Sequence, residues 1–316
     1  MSTFDVLTLT PLPTHLMNEL QSLYHVHDHG HLTDPSVLSR VTAMVGSSDI
    51  KVDAKLLATY PQVRLVCVVG ESYQHVDFEA LIAKNVMLTY TPGVANADVA
   101  DLAMGLVLSV VRKIPHADRF VRNADWVEGE YPLTRRVTGA RMGLMGAKPL
   151  MQAVAQRAYG FEMRLSYFAD KEDAEMSDRF KMTYFSDLQA MAEHLDLLVL
   201  CAQDALTYKE RVNKEVLGAL GANAYVVNVG DAGVFEQSAL LSALQQKKLA
   251  GAAIDVFVGE PKVAAEWRVL QNAVLTPHIG ASTDGAKKAM AALALANLKA
   301  FFEGQTPLSM APELAT

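Results

Sequence analysis

Short apolar runs and segments with helical spacing take turns along this chain. Residues 6–10, 43–45, 65–69 and 86–90 are apolar stretches of strand length, whereas 13–23, 54–60 and 77–84 repeat apolar residues every three or four positions. Strands alternating with helices predict a parallel sheet covered on both faces. A long apolar segment, 95–113, is expected to be one helix that joins two domains or packs against a second subunit.

The alternation restarts at Met142. Residues 142–145 form an apolar run that meets a glycine at Gly146, and Pro149 then opens a helix, where its missing NH costs little. That helix carries Leu150, Val154, Ala155 and Ala158 on one face, ends at Gly160, and is followed by a second apolar run, 163–168. Strand, glycine turn, helix and strand in this order are the grammar of a dinucleotide-binding βαβ unit. Further strands are expected at 195–201, 224–229, 252–257 and 273–276; runs such as LDLLVLCA are apolar on both faces, as central parallel strands are. A last long helix, 282–303, returns to the first domain. The expected organisation is α/β, with a discontinuous outer domain of 1–98 plus 286–316 and a nucleotide-type domain of 99–285.

The glycine turn departs from the usual wording. In G-x-G-x-x-G the second glycine lets the backbone approach the pyrophosphate and the third lets helix and strand pack closely. Gly146 is the first of the three, but Lys148 stands at the second position and Met151 at the third. A pyrophosphate rests on free NH groups at the helix start, and Pro149 removes one. Asp170, just past the second strand, suits a ribose hydroxyl and would repel a 2′-phosphate.

Composition narrows the class further. With 316 residues and 51% hydrophobic side chains, the chain can bury the cores of two domains. A net charge of -7 argues against nucleic-acid and anionic-membrane partners. No apolar run is long enough to span a bilayer, and the opening residues lack the pattern of an export signal. Cys67 and Cys201 both lie in apolar runs, which suits a reducing, cytoplasmic compartment. Four histidines alternate at His25, His27, His29 and His31; without a thiolate or a spacing that closes a tetrahedral site, no metal is expected there.

Four segments carry a family likeness in the right order: NVMLTYTPGVANADVADLAMGLVLSVVRK, WVEGEYPLTRRVTG, LLSALQQKKLAGAAIDVFVGEP and NAVLTPHIGAST. Together they resemble the D-isomer-specific 2-hydroxyacid dehydrogenases, closest to the glyoxylate/hydroxypyruvate reductase branch. The resemblance implies two Rossmann-like domains with parallel sheets, a flavodoxin-like outer one and a dinucleotide-binding inner one. It also implies NADP or NAD as cofactor and a homodimer formed through 95–113 and the arm 126–138. Family chemistry uses a histidine as general acid, a glutamate that holds it, and an arginine that clamps the 2-oxo acid. His278 in TPHIG matches the histidine, Glu260 in VGEP the glutamate, and Asp255 in IDVF a residue at the nicotinamide end. A carboxylate beside an imidazole orients it and favours the protonated form that delivers a proton as hydride arrives.

The arginine is absent. Asp231, in AYVVNVGDAGV, stands at its position, and Glu71, in VVGESYQ, lies in the loop that receives the substrate carboxylate. A charge pair about 4 Å apart at an effective dielectric of about 20 is worth roughly 4 kcal/mol, so arginine to aspartate turns that attraction into repulsion. The expected reading is a pseudoenzyme: a homologue with weak or absent cofactor binding, no catalysis, and an unknown small-molecule ligand. Two alternatives stay open. One is a working NAD(P)H-dependent reductase in which Lys148 contacts phosphate and another cation replaces the arginine. The other is an acidic pocket of Glu71, Asp231 and Glu260 around His278 that takes a cationic ligand. Arg135, Arg136 and Arg141 precede the nucleotide unit and are expected to be solvated.

Overall fold

In the first sheet β1 (Asp5–Thr8), β2 (His25–Asp28), β3 (Val41–Ser47), β4 (Leu65–Val69) and β5 (Met87–Thr89) all run parallel, in the order β2-β1-β3-β4-β5. This computed structural model describes residues 4–203 and 205–314. Side chains alternate between faces along a strand, and here both faces are buried. Leu65 and Cys67 pack with Val6, Ala43 and Val45 on one face, while Val66 and Val68 join Leu7 and Met44 on the other. The strand order is the flavodoxin-like one. Aspartates start the connecting helices: Asp53 accepts from Leu56 N and Asp77 from Ala80 N, which satisfies donors that the first helical turn leaves open.

The last helix, Asp284–Phe302, returns to this sheet. Its Ala291, Ala294 and Leu298 complete the Leu65 face, with Cys67 Sγ 3.8 Å from the carbonyl of Ala294. Residues up to Ala95 and from Asp284 onward form one unit, and Asn96–Thr283 form a second.

The second unit contains β6 (Arg141–Gly146), β7 (Arg164–Phe168), β8 (Thr183–Phe185), β9 (Leu197–Cys201), β10 (Tyr225–Asn228), β11 (Gly251–Ile254) and β12 (Ala273–Leu275). They too are parallel, in the order β12-β11-β10-β9-β6-β7-β8. Met145, Leu198, Leu200, Val226 and Ile254 face a core closed by the helices Leu188–Ala192, Lys214–Leu220 and Gln237–Gln245. The helices Asn96–Val111 and Lys148–Tyr159 pack against each other, the first also against β10 and β11 and the second against β6 and β7.

The 95–113 segment is one helix, Asn96–Val111, as expected; Lys113 then takes φ 52°, and a new helix, Ile114–Arg122, starts with Pro115 in its first turn. A proline there cannot donate to the preceding turn, so the ladder stops. The proline of the nucleotide turn sits one place later than expected, since Lys148 is the first helical residue and Pro149 the second.

Candidate active site

Strand order reverses between β6 and β9, and open parallel sheets hold their ligands outside the carboxyl ends of the strands at such a point. Gly146 ends β6 there. A Cβ on it would lie 2.1 Å from the backbone N of Ala202, and its φ is 136°, so only glycine fits. Ala147 caps the next helix without a side-chain hydrogen bond; its own NH goes to the Cys201 carbonyl (3.2 Å) and its carbonyl takes the NH of Met151 (3.0 Å). Pro149, in that first turn, has no NH to offer.

Lys148 does not point its charge freely at this turn. Its Nζ donates to Asp173 Oδ2 (2.7 Å) and Glu175 Oε2 (2.8 Å), at the start of the helix Ala174–Phe180. These hydrogen bonds, Asp173 first, hold the lysine above its ordinary pKa and both carboxyls below theirs. Met151 is buried in the second unit, and Asp170 is exposed just beyond β7. The sequence reading missed Asp173 and Glu175. Their only signal is a helix-start pattern, aspartate followed by an acid in the first turn, which says nothing about a lysine on another helix.

A second group forms around His278. Asp255, at the end of β11 and 1% exposed, accepts from Thr276 Oγ1 (2.6 Å), Ile279 N (2.9 Å) and Gly280 N (3.0 Å). Its carbonyl also takes the NH of His278 (2.9 Å). This clamp holds His278 at φ 52°, a left-handed conformation that a non-glycine residue adopts only when its surroundings impose it. The half-exposed imidazole is 2.6 Å from Glu260 Oε1 through Nδ1. Glu260 is itself oriented, since Oε2 accepts from Phe257 N (3.2 Å). Asp255 therefore anchors the histidine loop; Thr276 and Gly280 belong to the same clamp, and the TPHIG motif was the signal that contained them.

Asp231 follows β10 in the same unit. Its side chain accepts from Gly233 N (2.7 Å), and its NH donates to Ala202 O (2.6 Å). Asn228 braces the turn by accepting from Gly230 N (3.2 Å). Two of the arginines that precede the nucleotide unit, Arg141 and Arg135, lie elsewhere. Arg141 pairs with Asp196 (2.9 Å) at the start of β6, holding that carboxyl below its usual range, and Arg135 donates to the carbonyl of Asn223, before β10. Both are at the amino ends of strands, opposite the edge that carries Gly146 and Asp231.

Glu71 belongs to the first unit, where burial pushes its carboxyl up and NH groups of Gly93 and Ala95 partly offset this. The alternating histidines also lie there, and three of the four have side-chain partners: His27 with Asp5, His29 with Tyr60 and His31 with Asp28. Among the described residues no three of His, Cys, Asp or Glu are gathered as a metal site. No helix among them is long and apolar enough to cross a membrane.

A parallel sheet with a glycine turn at its switch point is the arrangement of the doubly wound, dinucleotide-binding α/β proteins, and here a histidine–glutamate pair lies in the same unit. The family model for the D-isomer specific 2-hydroxyacid dehydrogenase NAD binding domain matches residues 104–280. Glyoxylate/hydroxypyruvate reductase A of Arabidopsis thaliana is 31% identical over 98% of this chain and 99% of its own. The chain belongs to the D-isomer-specific 2-hydroxyacid dehydrogenase family. A 2-hydroxyacid dehydrogenase from Ketogulonicigenium vulgare shares its fold with a TM-score of 0.91 at 31% identity, covering 98% of this chain and 99% of that one. An NADPH-dependent glyoxylate/hydroxypyruvate reductase of Sinorhizobium meliloti, solved with NADP and malonate, matches with a TM-score of 0.88 at 29% identity, over 99% and 98% of the two chains. The two-sheet α/β architecture expected from the sequence is thus the architecture of the family.

Proposed function

We propose that this chain is a family member that has given up 2-oxo acid reduction while keeping the fold and the histidine–glutamate pair. The observation that carries this reading is the Lys148 ammonium held between Asp173 and Glu175 at the glycine turn. A pyrophosphate approaching that turn meets a long side chain in place of glycine, a proline without an NH, and two nearby carboxylates. The residues present do not fit the dinucleotide, and a 2′-phosphate would in addition meet Asp170.

Substrate capture fails in the same way. Asp231 stands where the family places its arginine, so the roughly 4 kcal/mol that such a cation contributes near a carboxylate becomes repulsion. Glu71, in the loop assigned to the substrate carboxylate, adds a second acid. In this reading the unit closed by the last helix is the substrate-type domain and the unit from Asn96 to Thr283 the nucleotide-type domain.

A homodimer is part of the proposal. Val121, Trp126, Val127 and Leu133 are exposed in one stretch, Val127 at 84% and Leu133 at 99%, more apolar surface than a free arm should carry. A cytoplasmic location is read from two buried cysteines that form no disulfide.

The second reading, an active reductase, has one specific observation in its favour: Asp255, Glu260 and His278 keep an arrangement suited to a general acid. Titration with NADPH and NADH, followed by assays with glyoxylate and hydroxypyruvate against a His278→Ala background, separates the two. Turnover clearly above that background would establish the second reading and end the first.

A further inference from the structure

Asp255 takes hydrogen bonds from Thr276, Ile279 and Gly280 and so fixes the first part of the histidine loop. The remainder, up to the helix that begins at Asp284, is closed by other groups. Ser282 N donates to the carbonyl of Ile279 (2.9 Å), and Thr283 Oγ1 donates to Asp98 Oδ1. Asp98 lies in the first turn of the helix Asn96–Val111, so this bond ties the loop to a residue 185 positions away.

A second contact joins the same two places. Val99, next to Asp98 and only 6% exposed, packs against Gly280: a Cβ built on that glycine would lie 3.3 Å from Val99 Cγ2. The helical turn that carries Asp98 and Val99 is itself braced. Arg157, from the helix of the glycine turn, donates through Nε to Asp101 Oδ1 (2.5 Å) and through a terminal nitrogen to the carbonyl of Ala97 (3.1 Å). The rest of the helix lies against β10 and β11. Asp98 is therefore offered from fixed backbone on either side of it.

The loop that it grips needs such a support. His278 sits at φ 52°, and a non-glycine residue stays in that conformation only where its surroundings over-determine it. With the far end of the loop released, the backbone from Gly280 to Thr283 can turn, and His278 can relax away from Glu260, which it meets at 2.6 Å through Nδ1.

We propose that Asp98 is a positioning residue for His278: by holding Thr283 it keeps Nδ1 on Glu260 and so leaves Nε2 as the nitrogen that exchanges a proton. The inference rests on the reading that the histidine–glutamate pair is kept, which the noncatalytic and the active readings share.

The test is proton and 15N NMR of the full chain without cofactor, with the His278 signals assigned by their loss in His278→Gln. The charge-assisted bond from Nδ1 to Glu260 should give one narrow, downfield proton resonance in the wild type. Asp98→Ala and Thr283→Val should each broaden it about twofold or more, as exchange between loop conformers sets in. Their unfolding midpoints should stay within about 2 °C of wild type, because the lost bond is at the surface. Asp98→Asn keeps an acceptor and Thr283→Ser a donor, so both should retain the narrow signal, which a change in packing alone would not explain. Should Asp98→Ala fail to fold, Thr283→Val, at an exposed position, decides. An unchanged resonance in either folded variant, an asparagine variant as broad as the alanine one, or a wild type without the resonance overturns the proposal. Turnover or tight binding of NADPH would end the noncatalytic reading and leave this result standing, since the measurement uses neither.

Discussion

Replacing Asp255 by alanine tests whether one buried carboxylate holds the histidine loop. The side chain accepts three hydrogen bonds, at 2.6, 2.9 and 3.0 Å, and bonds to an ionised group contribute about 1.5–3 kcal/mol each. They share one acceptor and are not additive, so the sum of about 5–9 kcal/mol is a ceiling. A loss of about 4 kcal/mol is expected once water and loop movement satisfy part of the freed NH groups. For a unit of this size each kcal/mol moves the midpoint by about 2–4 °C, which predicts a fall of about 8–16 °C in thermal unfolding. Asp255→Asn keeps an acceptor and should lose about half as much. His278, released from φ 52°, should then exchange between conformers, visible as broadening of its imidazole resonances. An alanine variant within about 1 kcal/mol of wild type, or an asparagine variant worse than alanine, would refute the clamp.

Gly146→Ala should cost more than about 3 kcal/mol or abolish folding, because its Cβ would lie 2.1 Å from Ala202 N and 2.2 Å from Cys201 C, both backbone atoms; expression yield and urea unfolding check this. Glu71→Gln should stabilise the chain at pH 7. Burial raises the folded pKa of Glu71 above its unfolded value, so the folded state binds that proton more tightly, and its contribution declines as pH rises through the window above 4.5. The variant's advantage in urea midpoint should vanish below that pH, and an advantage that grows on acidification would contradict the sign. Light scattering at micromolar concentration should report a dimer, and Val127→Asp with Leu133→Asp should give monomers; a wild-type monomer would remove the dimer from the account.

Much of the fold was legible because parallel strands buried on both faces leave unbroken apolar runs, as at Leu65–Val69 and Leu197–Cys201. Gly146 was legible as a turn glycine, and the departures at Lys148, Met151 and Asp231 were visible as mismatches of residue type. The helix of 95–113 was legible in the same way and is Asn96–Val111, with Pro115 in the first turn of the helix that follows. The fate of Lys148 was hidden, since its partners Asp173 and Glu175 lie on another helix. The anchoring role of Asp255 was equally hidden: its bonds reach residues 21 to 25 positions away, and no local pattern announces them.

The most direct test of the central claim is calorimetric titration of the unmodified chain with NADPH and NADH at physiological salt. The account predicts a Kd weaker than about 100 µM for both, with Lys148→Gly and Met151→Gly together recovering part of the affinity. A Kd below about 1 µM for either dinucleotide would contradict it.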